Sequence, residues 1–133
     1  MKRRAVYLDS SAVVKLVFEE AETAALEEFL IARPLRLSSM LARLEVTRTA
    51  RAVDDPLVTR HANEVLAALT LIAPDAALLI AASTVEPHSL KSLDAIHLAT
   101  ARSLLPEIEG MVVYDARLAK AARHAGITVW APH

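Results

Sequence analysis

Short apolar runs alternate along this chain with longer segments in which apolar residues recur at helical spacing. Two runs, at residues 4–9 and 111–114, are strongly apolar and contain the Val and Tyr residues typical of buried strands. Weaker runs at residues 35–38, 70–73 and 127–130 predict further strands. Strands that are separated by helices predict an α/β fold, with a parallel sheet covered by helices on both faces.

The segments between these runs predict helices, and several begin or end at capping residues. The predicted helices cover residues 10–18, 20–32, 39–53, 56–69, 75–84, 92–104 and 116–125. Asp54-Asp55-Pro56 is a typical helix start, and Ser89 or Ser92 is expected to cap the sixth helix. Both glycines, Gly110 and Gly126, are expected at element boundaries, with Gly126 as the left-handed terminator of the last helix.

The composition narrows the class of protein. Hydrophobic residues make up 54% of the chain, which is ample for a single domain spanning residues 1–133 and leaves apolar surface for a partner. A net charge of −1 argues against a protein that coats nucleic acid by charge alone. The absence of cysteine excludes disulfides, thiolate zinc sites and cysteine nucleophiles. The apolar stretches at residues 5–8 and 69–82 are too short or too interrupted for a signal peptide or membrane span, so we expect a cytoplasmic protein without membrane association.

Two aspartates stand where the strongest predicted strands end. Asp9 ends the first run, and Asp115 directly follows the run at residues 111–114. Because ligands of open parallel α/β sheets bind beyond the carboxyl ends of the strands, we expect both carboxylates at one edge of the sheet. Either aspartate would also serve as the N-cap of the helix that follows it, and capping is compatible with ligand binding.

Two further acids lie within largely apolar helix faces. Glu45 lies in the stripe that Leu41 and Leu44 begin, and Asp94 lies on a four-residue row with Leu98. A buried acid is costly unless it is paired or bound to a metal. The alternative for Glu45 is an edge position with its carboxylate turned outward. The alternative for Asp94 is an acid in the first helical turn, favoured there by the helix dipole.

Carboxylates brought together from these four positions would repel one another and resist full ionisation. A divalent cation removes that repulsion, and all-oxygen ligands suit Mg²⁺ or Mn²⁺ rather than zinc. His97, three residues after Asp94, is near enough to hydrogen-bond that carboxylate. We interpret His97 as a packed residue and do not assign it to the metal.

Several segments of the chain closely resemble the PIN-domain ribonucleases, in particular the VapC-type toxins of prokaryotic toxin–antitoxin pairs. The segments are YLDSSAVVKL, SSMLARLEV, SLDAIHLATA and VVYDARLAKAARHAGITVWAP. They occur in the family's order from the first predicted strand to the C-terminus. The resemblance implies a PIN-like three-layer α/β/α fold with a central, mostly parallel sheet of four to five strands.

The resemblance also implies an activity and a set of residues for it. The activity is metal-dependent endoribonuclease cleavage of RNA, with Asp9, Glu45, Asp94 and Asp115 as the catalytic acids and Mg²⁺ or Mn²⁺ as cofactor. Asp9, Asp94 and Asp115 would hold the metal, with Glu45 acting directly or through water. Ser10 matches a small polar residue that supports the site. The expected partners are an RNA substrate, a cognate antitoxin protein and a second copy of the chain in a homodimer.

Other positions qualify this interpretation. Arg43, Arg48, Lys91 and Arg117 flank the acids and are candidates, together with Ser10, for holding the RNA. The alternative for each cation is an ordinary solvated helix face. Many relatives have Thr or Ser two residues before the last acid, where this chain has Val113.

Three other interpretations compete with a nuclease. A receiver-like phosphoacceptor domain needs a pair of acids at its first strand, but Asp9 is followed by Ser10 and Ser11. A phosphatase of the haloacid dehalogenase type needs Asp-x-Asp, which Ser11 breaks. The closest rival is a catalytically silent PIN-like module that acts only by binding protein or RNA, and the presence of all the acids argues against it.

Overall fold

The computed structural model describes residues 4–133, so the first three residues of the predicted domain lie outside the described part. The strands are β1 (Ala5–Leu8), β2 (Arg36–Ser39), β3 (Thr70–Ile72), β4 (Ile108–Val112) and β5 (Val129–Trp130). The helices are α1 (Ser10–Val17), α2 (Thr23–Ile31), α3 (Met40–Ala52), α4 (Pro56–Ala67), α5 (Ala76–Ser83), α6 (Ser92–Ser103) and α7 (Ala116–His124). All strands pair in parallel in the order β3-β2-β1-β4-β5, which confirms the predicted α/β fold.

The central strand β1 divides the core into two halves. Its side chains point alternately to opposite faces, as in any strand. Val6 and Leu8 join a core formed with helices α1 to α4, whereas Ala5 and Tyr7 join a core formed with α5 to α7. The sheet is therefore the middle layer of an α/β/α sandwich, as the resemblance implies.

Most helix starts are those that the sequence predicts. Asp9, Ser39, Asp55, Asp75 and Asp115 each cap a helix by accepting a hydrogen bond from a backbone N–H. The expected cap of α6 is wrong. Its N-cap is Lys91, without a side-chain hydrogen bond, because Ser92 already belongs to the helix.

The strand β4 begins and ends earlier than predicted. It covers Ile108–Val112 rather than residues 111–114, and Gly110 lies inside it instead of at a boundary. A Cβ at Gly110 would collide with the carbonyl oxygen of Thr128, so the close approach of the chain before β5 explains the glycine. Gly126 does end α7 with a left-handed backbone, at φ 84°, as predicted.

No helix within residues 4–133 is long and apolar enough to cross a bilayer.

The two glycines give a paired test of this description. Gly110→Ala should lower the free energy of unfolding by about 2–3 kcal/mol, because its methyl group would collide with backbone that cannot retreat without breaking the β4–β5 pairing. Gly126→Ala meets open space and only the backbone strain of a positive φ, which costs about 1 kcal/mol. Urea unfolding measures both, and an equal or larger loss at Gly126 would contradict the close approach at Gly110.

Candidate active site

Asp9 is a buried carboxylate at the end of the central strand. It is 3% exposed. Its Oδ1 accepts a hydrogen bond from the backbone N–H of Ala12 at 3.0 Å, and the hydroxyl of Ser11 lies 2.7 and 2.9 Å from its two oxygens. Burial raises the pKa of Asp9, the bonds from Ser11 and Ala12 oppose that rise, and the negative charge of Asp94 adds to it.

Asp115 follows the neighbouring strand β4 and lies in solvent. Its Oδ1 accepts the N–H of Leu118 at 2.9 Å, so it caps α7. Val113 and Tyr114 separate it from the strand, whereas Asp9 directly follows β1. The hydroxyl of Ser11 accepts the N–H of Tyr114 at 3.2 Å, which ties the segments after β1 and β4 together.

Asp94 lies half-buried in the first turn of α6. Burial raises its pKa, and the negative charge of Asp115 raises it further, as does that of Glu45 to a smaller extent. Asp94, Asp115 and Glu45 therefore lie close enough to repel one another. Asp9 also feels the charge of Asp94, so the repulsion links all four.

Glu45 projects from α3 beside the core rather than within it. The stripe predicted from Leu41 and Leu44 is wrong, because Leu44 is 58% exposed. The buried residues of this helix are Ala42, Val46 and Ala50. Helix α3 thus turns about one position away from the predicted face, and the carboxylate of Glu45 stands at the margin of the core with its side chain 30% exposed.

His97 contacts Glu45 instead of the expected Asp94. Its Nε2 lies 3.3 Å from Oε1 of Glu45 and 2.9 Å from the hydroxyl of Ser10, and its Nδ1 lies 2.7 Å from the hydroxyl of Tyr7. Asp94 precedes His97 by three residues on the same helix, but the imidazole turns inward, where it is 1% exposed. His97 is therefore a packed residue, as interpreted, and the carboxylate that it contacts is that of Glu45 rather than Asp94.

Ser10 contacts one of the predicted acids. Its hydroxyl donates to Oε1 of Glu45 at 2.6 Å. Burial alone would raise the pKa of Glu45, but the hydrogen bonds from His97 and Ser10 outweigh it and hold that pKa below its ordinary value. Direct contact of Ser10 with a substrate stays a prediction.

The predicted RNA-binding cations are all exposed, but they do not form one patch. Arg43 and Arg48 line a groove of about 890 Å³ along α3, together with Met40, Leu44 and Arg51. Arg117 lines a separate groove of about 780 Å³ with Lys120. Lys91 lies in neither groove. Their assignment to RNA stays a prediction.

The four acids are suitable ligands for a hard divalent cation, although their side chains do not converge on one point. No group of three or more Asp, Glu or His side chains in the described chain stands in a metal-binding arrangement. Asp9, Asp115 and Glu45 each accept hydrogen bonds from neighbouring groups instead. All four acids offer oxygen ligands. Burial, and then the negative charges of Asp115 and Glu45, raise the pKa of Asp94, and Mg²⁺ or Mn²⁺ would neutralise this collected negative charge.

These features define a class of protein. It is an all-parallel α/β/α sandwich with an acidic site at the carboxyl edge of its central strand. The chain belongs to the PIN domain family, whose model matches residues 6–124. Within that family it resembles the VapC ribonucleases. It is 43% identical over 129 residues to ribonuclease VapC46 of Mycobacterium tuberculosis, covering 96% of this chain and 98% of the relative. It is 39% identical over 131 residues to ribonuclease VapC35 of the same species, covering 96% of each.

Solved structures share the fold. The VapC20 toxin of Mycobacterium tuberculosis, described as cleaving the sarcin–ricin loop, superposes with a TM-score of 0.73 at 14% identity, covering 93% of this chain and 97% of that one. A toxin–antitoxin complex from Klebsiella pneumoniae has a chain that superposes with a TM-score of 0.72 at 21% identity, covering 97% and 98%. These neighbours confirm the three-layer PIN-like fold.

Sequence reasoning missed two residues of the site. Ser11 holds the carboxylate of Asp9, and Tyr7 holds the imidazole of His97. The signals were present in the sequence: a second serine follows Asp9, and Tyr7 is a polar-tipped residue in a buried strand, where its hydroxyl needs a partner.

The raised pKa of Asp9 predicts how the metal-free protein responds to pH. Between the ordinary pKa of 3.8 and the higher folded value, the folded state binds more protons than the unfolded state, so ionisation of Asp9 weakens the fold as pH rises through that interval. Asn caps a helix as well as Asp but carries no charge. Asp9→Asn should therefore raise Tm at neutral pH in EDTA, and the gain should vanish as pH falls towards 3.8.

Asp75→Asn is the matched control. Asp75 caps α5 through the same bond to the third following residue, Leu78 N at 2.8 Å, but it is exposed. Its substitution should change Tm little at any pH. A lower Tm for Asp9→Asn than for the unaltered chain in neutral EDTA would show that the charge of Asp9 does not burden the metal-free fold.

Proposed function

We propose that this chain is a metal-dependent endoribonuclease and the toxin of a type II toxin–antitoxin pair. The observation that carries the proposal is the mutual repulsion of Asp9, Glu45, Asp94 and Asp115 beside the carboxyl end of β1. The match over 96% of the chain to ribonuclease VapC46 supports RNA as the substrate. Metal dependence, Mg²⁺ or Mn²⁺ as cofactor and the roles of single residues are part of the proposal.

Each acid has a different task in this mechanism. Asp9, Asp94 and Asp115 would hold the cation. When bound, such a cation lowers the pKa of a water molecule and neutralises charge on the scissile phosphate. Glu45 stays ionised, because His97 and Ser10 hold its pKa low, and it acts directly or through a water molecule on the attacking group. No side chain is needed as a covalent nucleophile.

Exposed cations supply the contacts to the RNA backbone. Arg43 and Arg48 lie on α3, the helix that carries Glu45, and Arg117 lies two residues after Asp115. Lys91 directly precedes α6, which carries Asp94, and Ser10 lies beside Glu45. Each of these positions lies on or next to an element that carries one of the acids, which supports a role in holding phosphates near the site.

The partners follow from the same family. The superposition on a chain of a toxin–antitoxin complex supports a cognate antitoxin. A homodimer in the cytoplasm is the second part of this proposal. It is supported by large apolar side chains left at the surface, among them Ile31 at 77%, Ile80 at 69% and Leu57 at 67% exposure.

Asp94→Asn should lower the rate of RNA cleavage by on the order of 100-fold, because it removes a charged ligand that the transition state needs. The same variant should lose most of the Mn²⁺-dependent rise in Tm that the unaltered chain shows, while remaining folded by circular dichroism. EDTA should abolish cleavage by the unaltered chain.

Asp75→Asn, a carboxylate outside the acid group, is the control and should cleave normally. If the unaltered chain showed neither a Tm response to Mn²⁺ nor RNA cleavage, a silent PIN-like binding module would replace the nuclease. Cleavage that persists in EDTA would also refute the metal-dependent mechanism.

Charge removal on α3 tests the RNA-binding surface. Arg43→Ala and Arg48→Ala should each weaken RNA binding and reduce the slope of log Kd against log salt concentration by about 0.7, the value for one phosphate contact to a single strand. Arg123→Ala, an exposed arginine in the last turn of α7, serves as the control. Fluorescence anisotropy in EDTA measures binding without cleavage, and equal slopes for all these variants would exclude the α3 groove.

A further inference from the structure

A continuous chain of hydrogen bonds runs from the core to the carboxylate of Glu45. It begins at Tyr7 in β1, passes through His97 in α6 and Ser10 in α1, and ends at Oε1 of Glu45 in α3. The first three residues are all buried: Tyr7 is 0%, His97 1% and Ser10 9% exposed. Polar groups buried this deeply need defined donors and acceptors.

The direction of each bond follows from the number of protons available. A carboxylate only accepts, and Ser10 has a single hydroxyl proton, which it donates to Glu45. The oxygen of Ser10 therefore accepts at its other contact, so Nε2 of His97 carries the hydrogen and donates to it at 2.9 Å. Nε2 also lies 3.3 Å from Glu45, where only a donor would be favourable.

At the other end of the imidazole, Tyr7 is the donor. The Tyr7 hydroxyl lies 2.7 Å from Nδ1 of His97, and the hydroxyls of Ser38 and Thr100 also lie near it. The hydroxyls of Ser38 and Thr100 direct their protons to the carbonyl oxygens of Leu8 and Ile96.

We propose that Tyr7, His97 and Ser10 form a one-way hydrogen-bond chain that keeps His97 as its Nε2–H tautomer and anchors Glu45 by Oε1 alone. The second oxygen of Glu45, Oε2, makes no hydrogen bond to any residue between 4 and 133 and is left for the chemistry. Tyr7 and His97 are positioning residues. Their effect on catalysis rests on the proposed nuclease function. The tautomer of His97 does not depend on that function.

The tautomer is read directly by long-range ¹⁵N–¹H correlation spectra of the full chain at neutral pH without metal. The chain has 5 histidines, and His97→Gln assigns the signal of interest. We expect Nε2–H for His97 in the unaltered chain and a mixture of tautomers in Tyr7→Phe. An Nδ1–H or doubly protonated ring in the unaltered chain would overturn the proposal.

Tyr114→Phe is the matched control, since it removes a hydroxyl that donates to the carbonyl of Pro132 at 2.8 Å. It should leave the His97 signal and the cleavage kinetics unchanged. Tyr7→Phe should lower kcat roughly two- to tenfold, the worth of one hydrogen bond, with KM unchanged. His97→Gln, which keeps a side-chain donor, should retain more activity than His97→Leu.

The outcomes separate the two proposals. If the unaltered chain cleaves no RNA, the nuclease function fails, and the spectra alone still decide whether the hydrogen-bond chain exists. If the unaltered chain cleaves RNA and Tyr7→Phe shifts the tautomer without lowering kcat, Tyr7 and His97 do not position the site. Thermal unfolding of Tyr7→Phe confirms that the kinetics are those of folded protein.

Discussion

Negative charge collected beside the end of a buried strand is the constraint on which the rest of this structure depends. Asp9 is almost fully buried, yet its charge is met by a hydroxyl and a backbone N–H instead of a cationic side chain. Asp94 faces the charges of Asp115 and Glu45. In the described chain none of these acids pairs with a lysine or arginine, and the imidazole of His97 lies 3.3 Å from Glu45. The fold therefore carries a repulsion that its own residues only partly relieve, and a bound cation would complete the balance.

The position of the site follows from how the two helical layers meet around β1. Tyr7 faces the layer of α5 to α7, where its hydroxyl reaches His97, whereas Val6 and Leu8 face the layer of α1 to α4. Beyond the end of the strand, Ser10 links His97 of one layer to Glu45 of the other. Each layer thus contributes one acid-bearing helix, α6 or α3. The separation of the acids depends on the packing of both layers against one strand.

The sequence was a good guide to elements whose signals are local. Asp55-Pro56 marked the start of α4, and Gly126 marked the end of α7, because capping needs only neighbouring residues. The errors came where distant residues decide. A glycine is required at position 110, inside β4, because the carbonyl of Thr128 approaches it closely. No local sequence pattern indicates that approach.

The acids themselves show the same limit of local reasoning. Hydrophobic periodicity placed Glu45 in a stripe with Leu44. The buried face of α3 is instead shifted by one position and includes Ala42 and Ala50, small residues that add little to the periodic hydrophobic pattern. The pairing of His97 with Glu45, 52 residues away in sequence, likewise depends on the tertiary fold. The alternative readings of Asp9 and Asp115 as N-caps are both correct, and each cap uses Oδ1. Asp94 is different, since its side chain makes no hydrogen bond within the described chain. The acids whose oxygens are hydrogen-bonded set the geometry of the site, and Asp94 is the most free to turn towards a cation.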